Sequence, residues 1–151
     1  MILTGLRDAT LGRQAKELFA SRIPGFKPLL NNLDRIFESS SSRGRGYIRA
    51  IDGRRIFVES RHKLLNYLLQ SCEKLTCASA ILYAMERLDE QGFDWQPLIF
   101  YHDEIQIMVR EDQAEAARDI CKAAFKEGPK LFGVAIMDGE AKIGNNWRDT
   151  H

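Results

Sequence analysis

The stretch "PLIFYHDEIQIMV", residues 97–109, decides how the chain folds. Leu98 to Tyr101 form an apolar arm. Ile105, Ile107 and Val109 alternate with Gln106, Met108 and Arg110 in a second arm. That pattern predicts strand, tight turn, strand. His102, Asp103 and Glu104 fall at the junction. Charge among apolar neighbours is costly unless it is paired, hydrogen-bonded or metal-bound. The triplet therefore either sits in a tight turn facing solvent or binds something. On the residues alone, Asp103 and Glu104 are either plain turn residues or a carboxylate pair suited to Mg²⁺, which takes carboxylate oxygens, water and substrate phosphates. Two such ions can clamp a phosphoryl group during in-line displacement.

On the amino-terminal side of this hairpin, residues 62–91 carry a helix pattern without Gly or Pro, ended by Gly92. His62, Asn66 and Gln70 recur every fourth residue, which makes a polar stripe along one side. It is a solvent-facing edge or a row of hydrogen-bonding groups that reads a polar surface. Before it, "GYIRAIDGRRIFVES" places two β-prone runs around Asp52-Gly53, a dipeptide that favours a two-residue type I′ turn. Arg49, Arg54 and Arg55 cluster there. "SSSSRGRG", residues 39–46, is a loop by composition. Two helices are predicted ahead of it, over Leu6–Ser21, with Asp8 or Thr10 as cap, and over Pro28–Ser39. "IPGF" separates them.

On the carboxyl-terminal side, "EDQAEAARDICKAAFKEG" predicts an amphipathic helix capped near Asp112 and ended by Gly128-Pro129. "LFGVAIMD" reads as a last strand and "GEAKIGNNWRDTH" as an irregular tail. The order α-α-β-β-α-β-β-α-β predicts an α+β domain, an antiparallel sheet covered on one face by helices.

Composition sets the bounds. The 151 residues suffice for one domain with a core. No apolar run reaches the roughly 20 residues of a membrane span, and "MILTGL" lacks the features of an export signal. Cys72, Cys77 and Cys121 form no C-x-x-C and are odd in number, which fits reduced thiols in a cytoplasmic protein. The net charge of +1 hides a split: residues 1–63 hold 13 basic and 6 acidic side chains, residues 64–151 hold 9 and 15. Seven of the basic residues lie between Arg43 and Lys63, against Asp52 and Glu59. Such a patch is either a solvated basic surface or the footprint of a polyanion, most often nucleic acid.

Four ordered segments carry a resemblance. "YHDEIQIMV" resembles the last sequence motif of the family A DNA polymerases, the class of bacterial DNA polymerase I and of podovirus-type phage replicative polymerases. "HKLLNYLLQS" resembles the phage branch's helix motif, with His62, Asn66 and Gln70 on its polar positions. "GYIRAIDGRRIFV" looks like the family's hairpin before that helix, and "AKIGNNWRDTH" is similar to its carboxyl end. Together they cover roughly residues 12–151.

The resemblance implies an antiparallel palm sheet covered by helices over residues 43–151 and a partial helical fingers segment over 1–42. It implies a two-metal Mg²⁺ site, present only in part. Asp103 would bridge the ions as a catalytic carboxylate and Glu104 would support the site. His102 would contact the primer terminus. Asn66 and Gln70 would hydrogen-bond minor-groove acceptors, which exist on every base pair and so report pairing rather than sequence. Arg54 and Arg55 would meet backbone phosphates or serve as ordinary hairpin charges. His62 stands where the bacterial branch has Arg, and His151 is a structural tail residue. The implied partners are primer–template DNA and deoxynucleoside triphosphates, in the cytoplasm of a bacterium or a phage-infected cell, with no membrane.

The chain also departs from the family. The first metal-binding aspartate, in a D-Y-S-like motif, is missing; "RDAT" and "LDRI" do not replace it. The fingers helix that supplies Lys, Arg and Tyr, the thumb and the proofreading exonuclease are missing too. The expectation is a carboxyl-terminal polymerase portion working with a complementing chain, inactive alone, with an uncovered strand edge and apolar face. A chain that opens with Met and closes where the family closes also fits a relic or a truncated reading frame. The alternative from another class is a non-catalytic DNA-binding or interaction module.

Overall fold

The computed structural model describes residues 9–42, 45–134 and 136–150. In chain order these form α1 (Ala9–Arg22), α2 (Phe26–Ser40), β1 (Gly46–Arg49), β2 (Arg55–Val58), α3 (Leu64–Glu90), β3 (Trp95–Tyr101), β4 (Glu104–Val109), α4 (Ala114–Glu127) and α5 (Trp147–Thr150). The class is α+β, as expected, with the strands in two antiparallel pairs, β1–β2 and β3–β4. The chain divides into two compact units, Met1–Arg49 with Arg54–Leu68, and Ala50–Gly53 with Leu69–His151. No helix among the described residues is long and apolar enough to cross a membrane.

The first unit is built on α2. Gly25, at φ 80°, makes the break between α1 and α2. Leu33 and Phe37 lie four apart on one face of α2, and they pack with Ile48, Val58 and Leu64 into a core that Ile56 and Tyr67 flank. Gly46 lets β1 lie close on the helix: a Cβ there would stand 2.8 Å from the Phe37 ring. Ser40 fastens the same junction, its Oγ accepting the Tyr47 N–H at 2.9 Å and donating to the Tyr47 carbonyl at 3.0 Å. The β1–β2 register pairs Gly46 with Val58, Tyr47 with Phe57, Ile48 with Ile56 and Arg49 with Arg55.

That register corrects the expected two-residue turn at Asp52-Gly53. Arg49 opposite Arg55 leaves residues 50–54 as a longer loop. A turn closes inside it, the Gly53 N–H donating to the Ala50 carbonyl at 3.0 Å with Gly53 at φ 83°. The core sets the register, because a one-residue slip would turn Ile48 and Val58 outward. The first helix starts by Ala9, so Thr10 lies inside it rather than at its cap, and Asp8 is outside the described residues.

The second unit is organised by the rest of α3. Ala80 and Ala84 pack against Ala124 of α4, flanked by Tyr83, Cys121 and Phe125. Small residues let the two helices approach. Helix α3 ends on Gly92 at φ 71°, where the Gly92 N–H reaches the Asp89 carbonyl and the Phe93 N–H reaches the Leu88 carbonyl, both at 3.0 Å. This double bond pattern closes a helix on a left-handed glycine. Ahead of α4, Asp112 is not the cap: Gln113 holds that position, and the Asp112 carboxylate is taken by Arg110 in a two-pronged ion pair.

The predicted last strand is not formed. Gly128–Phe132 make a 3-10 turn, Gly133 reverses the chain at φ 73°, and Val134 and residues 136–143 are irregular. Strand-prone side chains need a ladder partner, and among the described residues β3 and β4 pair only with each other. The tail closes in the short helix α5. Asn146 Oδ1 accepts the Arg148 N–H at 3.0 Å, and Asp149 accepts both the Asn145 N–H and the Asn146 amide. His151 lies outside the described residues.

Candidate functional site

The β3–β4 hairpin forms as its sequence predicts. Tyr101 pairs with Glu104, so His102 and Asp103 make a two-residue turn. Two-residue hairpin turns need positive φ at their first position. His102 meets this at φ 52°, the one non-glycine residue with positive φ among those described. A residue other than glycine costs of order 1 kcal/mol there. Such strain clusters at functional sites. Its ring is fixed edge-on against Tyr101, centroids 4.3 Å apart.

The turn holds Asp103 exposed and Glu104 half-buried. Glu104 Oε1 accepts the Gln106 amide at 2.9 Å, and the same nitrogen also reaches Thr150 Oγ1 at 3.2 Å. The carboxyl-terminal helix is thereby tied to the second carboxylate. Asp103 lines a cleft of about 540 Å³ with Glu73, Cys77, Phe125, Asp138 and Glu140. Burial, and then the negative charge of Asp103, push the Cys77 thiol up from its ordinary value. No cluster of three His, Cys, Asp or Glu side chains able to hold a metal ion occurs among the described residues.

A second cleft, of about 360 Å³, brings Gln70 and His102 together with Glu73, Lys74, Phe100 and Tyr101. Gln70 and His102 are thus joined, two of the residues singled out in the sequence. Lys74 was not singled out. Its ammonium sits 4.0 Å from the Phe100 ring centre, a cation–π contact that lysine at this α3 position makes with β3. The hairpin also leaves Leu98, Ile99, Phe100, Tyr101 and Met108 exposed, the uncovered apolar surface the sequence led us to expect.

The remaining residues lie in the first unit. Asn66 is exposed on the first turn of α3. His62 precedes the helix in a 3-10 turn, Arg61–Lys63, where Nδ1 and Ser60 Oγ share a hydrogen bond of 2.8 Å. Arg54 is exposed in the β1–β2 loop and Arg55 opens β2, its guanidinium 4.8 Å from the Tyr47 ring centre. Sequence reading missed Tyr47 and Phe57, although their matching parity on either side of the turn was the available signal.

The chain is 29% identical to a DNA-directed DNA polymerase of Enterobacteria phage T3, over 93% of this chain and 22% of that protein. It is 29% identical to the corresponding protein of Escherichia phage T7, with the same coverage. It is 27% identical to DNA polymerase I of Pseudomonas aeruginosa, over 70% of this chain and 13% of that one. No protein-family model matches. The chain is thus similar to phage and bacterial DNA polymerases and spans about a fifth of the phage relatives' length.

Proposed function

We propose that the chain is the carboxyl-terminal part of a DNA-directed DNA polymerase, with residues 43–151 contributing to the palm and residues 1–42 to the fingers. It acts on a primer–template and deoxynucleoside triphosphates in the cytoplasm of a bacterium or a phage-infected cell. The observation that carries this reading is the turn: a strained His102 presents an exposed Asp103, in a chain that aligns with polymerases over 93% of its length.

The donor set fits a divalent ion only in part. Asp103 and Glu104 offer carboxylate oxygens on one turn, but no third side chain converges on them among the described residues. Mg²⁺ takes six oxygens in near-octahedral array, several of them from water and substrate phosphates, and in this reading a further carboxylate is supplied by the upstream polymerase segments, on a complementing chain. This chain's own side chains supply the DNA contacts. His102 meets the primer end from the mouth of the cleft it shares with Gln70. Gln70 and Asn66 donate to minor-groove acceptors, and Arg54 and Arg55 meet phosphates; His62, in the 3-10 turn ahead of α3, joins the DNA contacts.

The incomplete donor set also supports a second reading, a DNA-binding module without catalysis, which stands behind the first because a pure DNA binder gains nothing from carboxylates beside phosphate. The test is the isolated chain with primer–template, Mg²⁺ and all four nucleotides. The expected result is binding that weakens on Gln70→Ala, with no extension. Steady extension by the pure chain overturns the need for a partner, and failure to bind primer–template overturns both readings.

A further inference from the structure

The outer face of the β1–β2 hairpin has a composition its fold does not use. Alternation along the strands turns Gly46, Ile48 and Val58 inward; Ile48 and Val58 are 0% and 1% exposed. The intervening cross-strand pairs, Tyr47 with Phe57 and Arg49 with Arg55, therefore share the opposite face. The Tyr47 and Phe57 rings meet edge-on, centroids 6.3 Å apart. Arg55 lies over the Tyr47 ring, and no ion pair engages Arg55 among the described residues. Phe57 is 73% exposed. A phenyl ring left in water beside a guanidinium gains nothing for the core on the other side of the ladder.

We infer that this face is a stacking platform for single-stranded nucleic acid, taking an unpaired base on Phe57 and the adjoining backbone phosphates on Arg49 and Arg55. Exposed aromatic rings beside cationic side chains are how proteins hold single strands without reading sequence. Every base offers a π-face, and guanidinium planes stack on bases as well. A duplex gains less, because its base faces are already covered by one another. The charge is complementary: seven basic residues against two acidic ones lie between Arg43 and Lys63. The inference deepens the polymerase reading, on which it rests for the identity of the strand: the single strand is the unpaired part of a template.

The experiment compares fluorescence anisotropy of labelled oligo-dT, blunt duplex and primer–template with a long template overhang, using the full chain. Phe57→Leu keeps an apolar side chain but removes the π-face, and at this exposure it leaves the fold intact. It is expected to weaken oligo-dT and overhang binding at least about five-fold and to leave blunt-duplex binding unchanged. Phe57→Trp is expected to retain affinity and to show quenching of its added indole emission when oligo-dT binds. Arg55→Gln is expected to make the log–log salt dependence for oligo-dT shallower by about 0.7. Equal losses on oligo-dT and blunt duplex overturn the inference. So does unchanged oligo-dT binding by Phe57→Leu, which assigns the face to a protein partner instead. If binding to overhang and blunt duplex is intact and equal in both Phe57 variants, the platform is wrong and the polymerase reading stands. If no DNA binds, both fall.

Discussion

Replacing Gly128 with Ala tests how the helices under the Asp103 cleft are held together. Gly128 closes α4 with ordinary helical angles, φ −57° and ψ −48°. Its backbone therefore accepts alanine, and elsewhere such a change stabilises by about 0.4–1 kcal/mol through the unfolded chain. Here a Cβ would stand 2.5 Å from the Ser79 carbonyl oxygen and 2.8 Å from the Ala80 Cα. Both belong to the backbone of α3, which no rotamer change can move aside. Overpacking costs about 1–3 kcal/mol, and against immovable backbone the upper part of that range applies, about 2–3 kcal/mol, so the net expectation is a loss of roughly 1–2.6 kcal/mol. With a urea m-value near 2 kcal/mol/M, the midpoint falls by roughly 0.5–1.3 M. Trp95 and Trp147 both lie in the second unit, so tryptophan fluorescence reads that unit's unfolding. Gly12→Ala is the control, followed by circular dichroism because it lies in the first unit: it sits inside α1 with nothing within 4 Å of its Cβ position, and alanine should strengthen that helix by about 0.5–1 kcal/mol. A Gly128→Ala midpoint by fluorescence that is unchanged or raised would refute the close α3–α4 contact.

Two further outcomes are expected. The Arg61 hydrogen bond and charge hold the Asp34 carboxyl below its ordinary 3.8. Its folded value is depressed, so the pair's contribution is full above about pH 4 and is lost as pH falls through the lower folded value. Asp34→Asn should flatten the acid side of the stability profile of the wild-type chain, and an unchanged acid slope would contradict the pairing. The exposed Leu98, Ile99, Phe100 and Tyr101 should drive concentration-dependent association in sedimentation velocity, reduced by Leu98→Lys. A constant monomer coefficient at high concentration would count against it.

The hairpin at His102 was legible because its signal is local. Two apolar runs met at charged residues, and only a turn satisfies both. The end of α3 at Gly92 was legible for the same reason, since a left-handed closure demands glycine. What escaped the sequence depends on distant partners. Residues 131–138 have strand composition, but among the described residues none of them joins the β3–β4 pair, and Gly133 turns the chain instead. The β1–β2 loop grew beyond Asp52-Gly53 because Leu33 and Phe37 of α2 dictate which strand residues face inward. Asp112 had the right place for a cap, and Arg110 took its carboxylate. For the site, Gln70 and His102 met in one cleft. The Tyr47–Phe57 pair went unnoticed because their contact depends on strand register.

The most direct measurement is primer extension with Mg²⁺ and all four deoxynucleotides. The chain is combined with a polypeptide that carries the upstream polymerase segments, using wild type and Asp103→Asn in parallel. The account predicts extension that requires both polypeptides and is abolished by Asp103→Asn, with primer–template binding retained. Extension at the wild-type rate by the Asp103→Asn mixture would contradict a metal-site role for Asp103. A stable complex that binds primer–template and never extends it would contradict the catalytic reading altogether.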